Sequence, residues 1–394
     1  MQTIKTNNGN TVLIFAKTFE YEAFEQVKKM ANFEAYVNSK IRIMPDAHAG
    51  KGCTVGTTMT IVDKITPNLV GVDIGCGMLT VKLKNKDIDF ENVDQVIKAK
   101  IPSGFNVHSN VKNKFNFDLL RCQKHVNLIR AGLSIGTLGG GNHFIEIGKE
   151  QTTGDVYLII HTGSRQLGEN VCKYYQNKAF QNVNEVGKIT QNLINKLKSE
   201  GREKDIHNEL KNLKKPSADK ELACLSGQDF DDYMNDMAIV QKFASLNRET
   251  IAEIILKEAK LQRDNHFETI HNYIDFRRMI LRKGAVSAEK GETLLIPINM
   301  RDGSLLCVGK GNEDWNYSAP HGAGRLMSRS KAKQLIDMDD FKKSMEGIFT
   351  TSVVKETIDE SPQAYKSIEE IQETIADAVS VIGIIKPLYN YKAH

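Results

Sequence analysis

Val156-Tyr-Leu-Ile-Ile-His-Thr-Gly-Ser-Arg165 divides the chain into two kinds of sequence. Its first five residues form a short apolar run, the pattern of a strand buried on both faces. The run passes directly into His161 and a Thr-Gly-Ser stretch, so polar chemistry sits where a buried strand ends, a place that tends to carry function. Before it, short strands broken by glycine are expected at 11–16, 41–44, 55–62 and 69–83, the last interrupted by Gly75 and Gly77, with helices at 17–39 and 90–101. After it, from 166 to 260, glycines thin out and helical periodicity takes over, with 229–260 reading as one extended helix. Strands return at 293–297 and 305–308, followed by helices near 323–336 and 367–385. Neither a repeat nor a linker composition interrupts this order, which predicts one α+β domain over 1–394 with a helical insertion at 166–260.

The composition sets wide bounds. A chain of 394 residues with 40% hydrophobic content can bury a substantial core. A net charge of +4 tolerates an anionic partner but is too mild to specify nucleic acid. The first ten residues contain no apolar leader, and no apolar run approaches the roughly 18 residues of a membrane span, so a cytoplasmic protein is expected. Six cysteines, at 53, 76, 122, 172, 224 and 307, form no CxxC pair and are expected as reduced thiols; a special one would be a ligand or a nucleophile. The basic run over 198–220 could touch a polyanion but reads better as a solvated helical face.

Chemistry concentrates in a few glycine-rich segments. In Ser318-Ala-Pro-His-Gly-Ala-Gly-Arg-Leu-Met-Ser-Arg329, a histidine follows proline and precedes two glycines, a backbone that lets a ligand approach closely. Arg325 and Arg329, four apart at an expected helix start, could face one anion. On this segment alone, His321 could equally be a turn or capping residue. Val70-Gly-Val-Asp-Ile-Gly-Cys-Gly-Met78 places Asp73 and Cys76 three apart where both can converge on one ion, although Cys76 by itself reads as a small buried hydrophobe. Gly139-Gly-Gly-Asn-His-Phe-Ile-Glu146 offers His143, the Val156 strand ends in His161, and Glu268-Thr-Ile-His-Asn-Tyr-Ile274 holds His271. One carboxylate, one thiol and three imidazoles suit a borderline transition metal; by ligand chemistry alone zinc is favoured, and a bridging thiolate permits two ions. In Met44-Pro-Asp-Ala-His-Ala-Gly-Lys-Gly52, Asp46 and His48 read either as a hydrogen-bonded turn or as a functional pair, and Lys51 would suit a phosphate.

Taken together and in this order, the Met-Pro-Asp-Ala-His, Gly-Val-Asp-Ile-Gly-Cys-Gly, Gly-Gly-Gly-Asn-His-Phe-Ile-Glu, His-Thr-Gly-Ser-Arg and His-Gly-Ala-Gly-Arg-Leu-Met-Ser-Arg segments resemble the RtcB family of GTP-dependent RNA ligases, from about residue 41 onward. The resemblance implies an α+β fold of central mixed β-sheets packed as a sandwich and surrounded by helices. It also implies joining of an RNA 2′,3′-cyclic phosphate or 3′-phosphate end to a 5′-hydroxyl end, with GTP and two Mn²⁺ ions. By position, Asp73, Cys76 and His143 resemble the ligands of one ion and Cys76, His161 and His271 those of the other. His321 matches the family's guanylylated histidine, which passes GMP to the RNA 3′-phosphate before the 5′-hydroxyl displaces it. Asn142, Glu146, Asn299, Ser304, Ala323, Gly324, Tyr365 and Lys392 match nucleotide-binding positions, and Lys51, Arg165, Arg325 and Arg329 are assigned to RNA or nucleotide phosphate. The resemblance also implies a monomer, no membrane partner and an archease-like activating protein.

Residues 299–304 read Asn-Met-Arg-Asp-Gly-Ser where better-known members carry a Ser-Met-Gly type stretch, which puts the base contact at Asn299 in question. The departure marks a divergent branch, expected to serve RNA repair in place of tRNA splicing. Two other readings use the same residues: a binuclear metal-dependent RNA phosphoesterase in which His321 only binds phosphate, and a non-catalytic RNA-end binding protein.

Overall fold

The computed structural model describes residues 2–7, 9–50, 52–212 and 219–393, with side chains described except over 184–189 and 211–212. The described residues form two large mixed β-sheets and two two-stranded ones with helices around them, an α+β fold. One sheet has six strands in the order Gln2–Lys5, Thr11–Ile14, Ile41–His48, Val55–Thr60, Ile280–Lys283 and Asn272–Asp275. The other has eight: Arg263–Ile270, Gly77–Leu83, Val156–Thr162, Phe144–Glu150, Val379–Lys392, Gly303–Gly309 and Thr293–Asn299 in order, with Phe349–Thr350 parallel to Val379–Lys392.

Val156–Thr162 lies inside the larger sheet and is buried along its whole length, as its unbroken apolar run requires. Leu158, Ile159 and Ile160 are fully buried, each stabilising the fold by about 1.5–3 kcal/mol relative to exposure. Register then positions the chemistry. Phe144 and Met78 both pair with His161, Gly77 pairs with Thr162 on one side and with Ile270 on the other. Residues 76, 143, 161 and 271 therefore meet at one end of the sheet. His271 is also the single residue between Arg263–Ile270 of the large sheet and Asn272–Asp275 of the small one, so it marks the crossing between sheets.

The helical stretch expected over 166–260 contains Arg165–Ser199, Ile206–Asn212 and Gln228–Glu258. The last is not peripheral. Met237, Val240 and Phe243 join one apolar core, while Ile251, Ala252 and Ile255 join another beneath the large sheet. No helix among the described residues is long and apolar enough to cross a membrane.

Several local expectations change. The strand expected over 69–83 begins only at Gly77, because Pro67–Leu69 forms a 3₁₀ turn and positive φ at Gly71 and Gly75 bends the segment that carries Asp73. The helix expected over 323–336 starts at Arg329, after Ser328 accepts a hydrogen bond from the Lys331 N–H as its cap. The helix expected over 367–385 stops at Ile375, and Val379–Lys392 is a 14-residue strand, where Val, Ile and Tyr favour the pleated sheet.

Candidate functional site

Two donor groups share one sulfur. Cys76, His161 and His271 form one set and Asp73, Cys76 and His143 the other, with the ligand atoms in each set within 4.8 Å of one another. His143 Nδ1 lies 2.8 Å from the Leu138 carbonyl, so it carries the proton and leaves Nε2 as a lone-pair donor. That Nε2 is 2.9 Å from Asp73 Oδ2 and 3.5 Å from Cys76 Sγ. His161 Nε2 is 3.4 Å from both Cys76 Sγ and His271 Nε2. Lone pairs converging this closely repel unless a proton or a cation lies among them, and the donor set fits two cations bridged by sulfur.

The electrostatics agree with that chemistry. Burial pushes His161 and His271 well below the ordinary imidazole range, keeping them neutral, the form that ligates a metal. Burial, reinforced by the Asp73 charge, pushes the Cys76 thiol well up, so a cation is what would remove its proton. Burial opposes ionisation of Asp73 too, but contact with the His143 imidazole and the charge of Arg165 hold its carboxyl below the usual range. Arg248, fully buried, donates to the carbonyls of Gly75 and Thr162 and pairs with Glu268, fixing the chain beside Cys76 and His161 from behind.

His321 adjoins this cluster but is not one of its ligands. Its ring centroid is 4.9 Å from that of His271. Nδ1 is 2.6 Å from Oδ2 of Asp46, which also accepts from the His321 backbone N–H at 3.2 Å. Asp46 is fully inaccessible in its side chain, whereas His321 remains 18% exposed. A buried carboxylate on Nδ1 selects the tautomer whose Nε2 lone pair is free. Asp46 belongs to the strand Ile41–His48 rather than to a turn. Gly324, at φ +73°, lets the loop after His321 lie against the Asp46 backbone, 2.7 Å from where a Cβ would stand.

Asn142, Glu146, Asn299, Ser304, Ala323, Gly324, Tyr365 and Lys392 all line one cleft, and His321 and His161 lie in its wall. Glu146 is buried against Asn390, which donates to Oε2 at 3.0 Å, while Oε1 has no hydrogen-bond partner among the described residues. Burial, partly offset by Asn390 and Lys392, raises its carboxyl to about 8. Asn299 borders the cleft with its amide committed elsewhere: its carbonyl accepts from the Arg301 and Asp302 N–H groups, and its nitrogen donates to Asp302.

Arg325 and Arg329 do converge on one anion, but it is Glu360 of this chain, at 3.5 and 3.1 Å. Arg325 lies in the loop before the helix, also donating to the Asp359 carbonyl and to Tyr365 Oη. Lys392 pairs with the same Glu360, and Tyr365 Oη donates to it at 2.7 Å. Burial would raise Glu360, yet Lys392, Arg329 and these hydrogen bonds hold it below the usual carboxylate range. Arg165 stands apart, donating to Thr137 Oγ1 and the Gly104 carbonyl in a second cleft beside Asp73 and His143. Lys51 lies outside the described residues.

Sequence reasoning did not find Glu360, Asn390 or Arg248, whose roles come from contacts across the fold. A signal existed for Glu360 alone: an acidic pair, Asp359 and Glu360, just before Ser-Pro and Tyr365.

The model of the family described as tRNA-splicing ligase RtcB matches residues 26–134 and 121–393. The RNA-splicing ligase RtcB of Escherichia coli (strain K12) is 31% identical over 408 residues, covering 93% of each chain. The tRNA-splicing ligase RtcB of Archaeoglobus fulgidus is 26% identical, covering 93% of this chain and 89% of its own. An RNA-splicing ligase RtcB2 of Escherichia coli (strain ATCC 25922) is 25% identical, covering 89% and 86%. The chain belongs to the RtcB family.

Proposed function

We propose that this protein is an RNA ligase that joins a 2′,3′-cyclic phosphate or 3′-phosphate end to a 5′-hydroxyl end, using GTP, Mn²⁺ and a covalent His321–GMP intermediate. The observation that carries the reading is the placement of His321: Nδ1 held by buried Asp46, beside the two donor sets, in the wall of the cleft lined by the eight nucleotide-position residues. Family membership supports the ligase class.

In this reading Nε2 of His321 attacks the α-phosphate of GTP, forming an N–P bond as the bond to pyrophosphate breaks, while Asp46 stabilises the positive charge that develops on the ring. Cations held by Asp73, Cys76 and His143 and by Cys76, His161 and His271 would supply charge neutralisation for phosphoryl transfer. Water first opens a cyclic phosphate at its bond to O2′, leaving a 3′-phosphate, and the phosphoramidate then passes GMP to an oxygen of that 3′-phosphate, restoring neutral His321. Attack by the 5′-hydroxyl on that RNA phosphate forms the phosphodiester and expels GMP. Glu146 is suited to accept from guanine N1 and N2, and Tyr365 and Lys392 close the same cleft. Arg165 is the better candidate for RNA phosphate, because Arg325 and Arg329 are engaged by Glu360. In this reading the working unit is a monomer.

The test is incubation of the purified protein with GTP, MnCl₂ and two RNAs, one ending in a 2′,3′-cyclic phosphate and one beginning with a 5′-hydroxyl. A joined, GTP-dependent product is expected. Hydrolysed ends with no joined product would favour the phosphoesterase reading instead.

A further inference from the structure

Glu360 ends the 3₁₀ turn Lys355–Glu360 and is only 2% exposed, yet four donors reach its carboxylate. Lys392 Nζ and Tyr365 Oη donate to Oε2, while Arg329 and Arg325 approach Oε1 at 3.1 and 3.5 Å. Three cations this close repel one another unless an anion lies among them, so Glu360 is what holds them together. Lys392 Nζ also stands 5.7 Å over the Phe144 ring, and the Arg325 guanidinium lies 5.0 Å from the centroid of Tyr365. All six of these side chains line the cleft that His321 borders.

Elsewhere in the same cleft the balance is reversed, with acceptors that lack donors. Glu146 Oε1 and Asn390 Oδ1 are buried and have no hydrogen-bond partner among the described residues, although the Asn390 amide nitrogen donates to the other Glu146 oxygen. Leaving a buried acceptor unmet is costly, and a ligand edge with two adjacent N–H donors would meet both. The pairing of Val379–Lys392 with Phe144–Glu150 sets Asn390 opposite Glu146 and Lys392 opposite Phe144. Lys392 is therefore a diagonal neighbour of Glu146 on one face of the sheet, and its charge is felt at that carboxyl. Released from Glu360, the Lys392 ammonium would turn to Glu146 and fill the open oxygen.

Resting on the ligase reading above, we infer that Glu360 is a positioning residue that sets base preference without touching the base: by drawing Lys392 and Tyr365 to itself, it leaves the acceptor edge of Glu146 and Asn390 open to the N1–H and 2-amino group of guanine. A site whose buried acceptors need those donors rejects a base that lacks them.

The test is calorimetric binding of GMP and of IMP, which lacks only the 2-amino group, to the full chain in Mn²⁺. Neither carries a pyrophosphate to lose, so His321 stays unmodified. GMP should bind the wild-type protein about tenfold more tightly than IMP. In Glu360→Gln the ratio should fall to about twofold or less, as Lys392 takes up Glu146. Adding Lys392→Met to Glu360→Gln should bring the ratio back toward about tenfold, since nothing then competes for Glu146; a merely structural Glu360 would give losses that add. Glu360→Asp keeps the charge and serves if Glu360→Gln does not fold: one methylene shorter, it cannot hold both Lys392 and Tyr365, and the ratio should fall by about threefold. An unchanged ratio in either single variant, a wild-type protein indifferent to the 2-amino group, or a double variant that discriminates no better than Glu360→Gln would overturn the assignment. None of these measurements needs turnover, and the ligase reading fails separately if the wild-type protein never becomes guanylylated.

Discussion

Oδ2 of Asp46 lies 2.6 Å from Nδ1 of His321, and the carboxylate is wholly inaccessible while the imidazole keeps an open edge. One ring nitrogen is fixed as a donor, so on the ligase reading the other is available to phosphorus. Replacing Asp46 by Asn keeps the shape but removes the charge that supports the developing imidazolium. Single-turnover guanylylation of Asp46→Asn should slow by about a hundredfold or more, with metal content unchanged. A rate within threefold of the parent would mean that Asp46 is only structural.

Cys76 belongs to both donor sets, so its loss should be felt twice. Metal analysis after equilibration with Mn²⁺ and gel filtration should give two equivalents for the parent and at most one for Cys76→Ala. Circular dichroism would report whether the fold survives. Two equivalents retained by a folded Cys76→Ala protein would remove the sulfur from the site.

Glu146 links the cleft beside His321 to pH. Its carboxyl, raised to about 8 by burial from the usual 4.5, is mostly neutral at pH 7 in the free protein. A raised acid contributes stability that is complete below about pH 4.5 and is lost as pH rises through about 8. Melting temperature should therefore decline across that window, and less steeply in Glu146→Gln. If the ionised carboxylate receives guanine N1 and N2, GTP binding at pH 7 should release close to one proton, read from calorimetry in buffers of different ionisation enthalpy. Glu146→Gln should abolish the release.

Gly139 makes room for Arg165. A Cβ there would stand 1.8 Å from Nη1 of Arg165, and φ is +84°. In Gly139→Ala the guanidinium must leave its place between Thr137 and Gly104, and the backbone adds a cost of about 1–2 kcal/mol. RNA joining should fall by at least tenfold, with a lower melting temperature; joining at the parent rate would show that Arg165 is not needed where it stands.

How much of this was legible in the sequence varies by element. The sequence predicts the buried strand at 156–160 and the long helix over 229–260 nearly to their observed ends, because continuous apolar runs and unbroken helical periods are local signals. Local periodicity predicts helix for part of Val379–Lys392, whose fate depends on pairing with Phe144–Glu150 and Gly303–Gly309, distant in sequence. Motif order picked out His321 and five prospective metal ligands, and register explains why four of those six residues gather at one sheet end. The contact between Asp46 and His321 spans 275 positions and leaves no periodic trace. Arg325 and Arg329 show the opposite limit: the sequence displays two cations just after His321, while only the fold reveals that Glu360 already occupies them.

The most direct test of the central claim is covalent labelling of the protein by GTP carrying ³²P at the α-phosphate, in Mn²⁺ and without RNA. The wild-type protein should retain label after denaturation, labile in acid and stable in alkali as a phosphoramidate is, and His321→Ala should retain none. Label on His321→Ala, or none on a wild-type protein shown to bind GTP, would contradict the account.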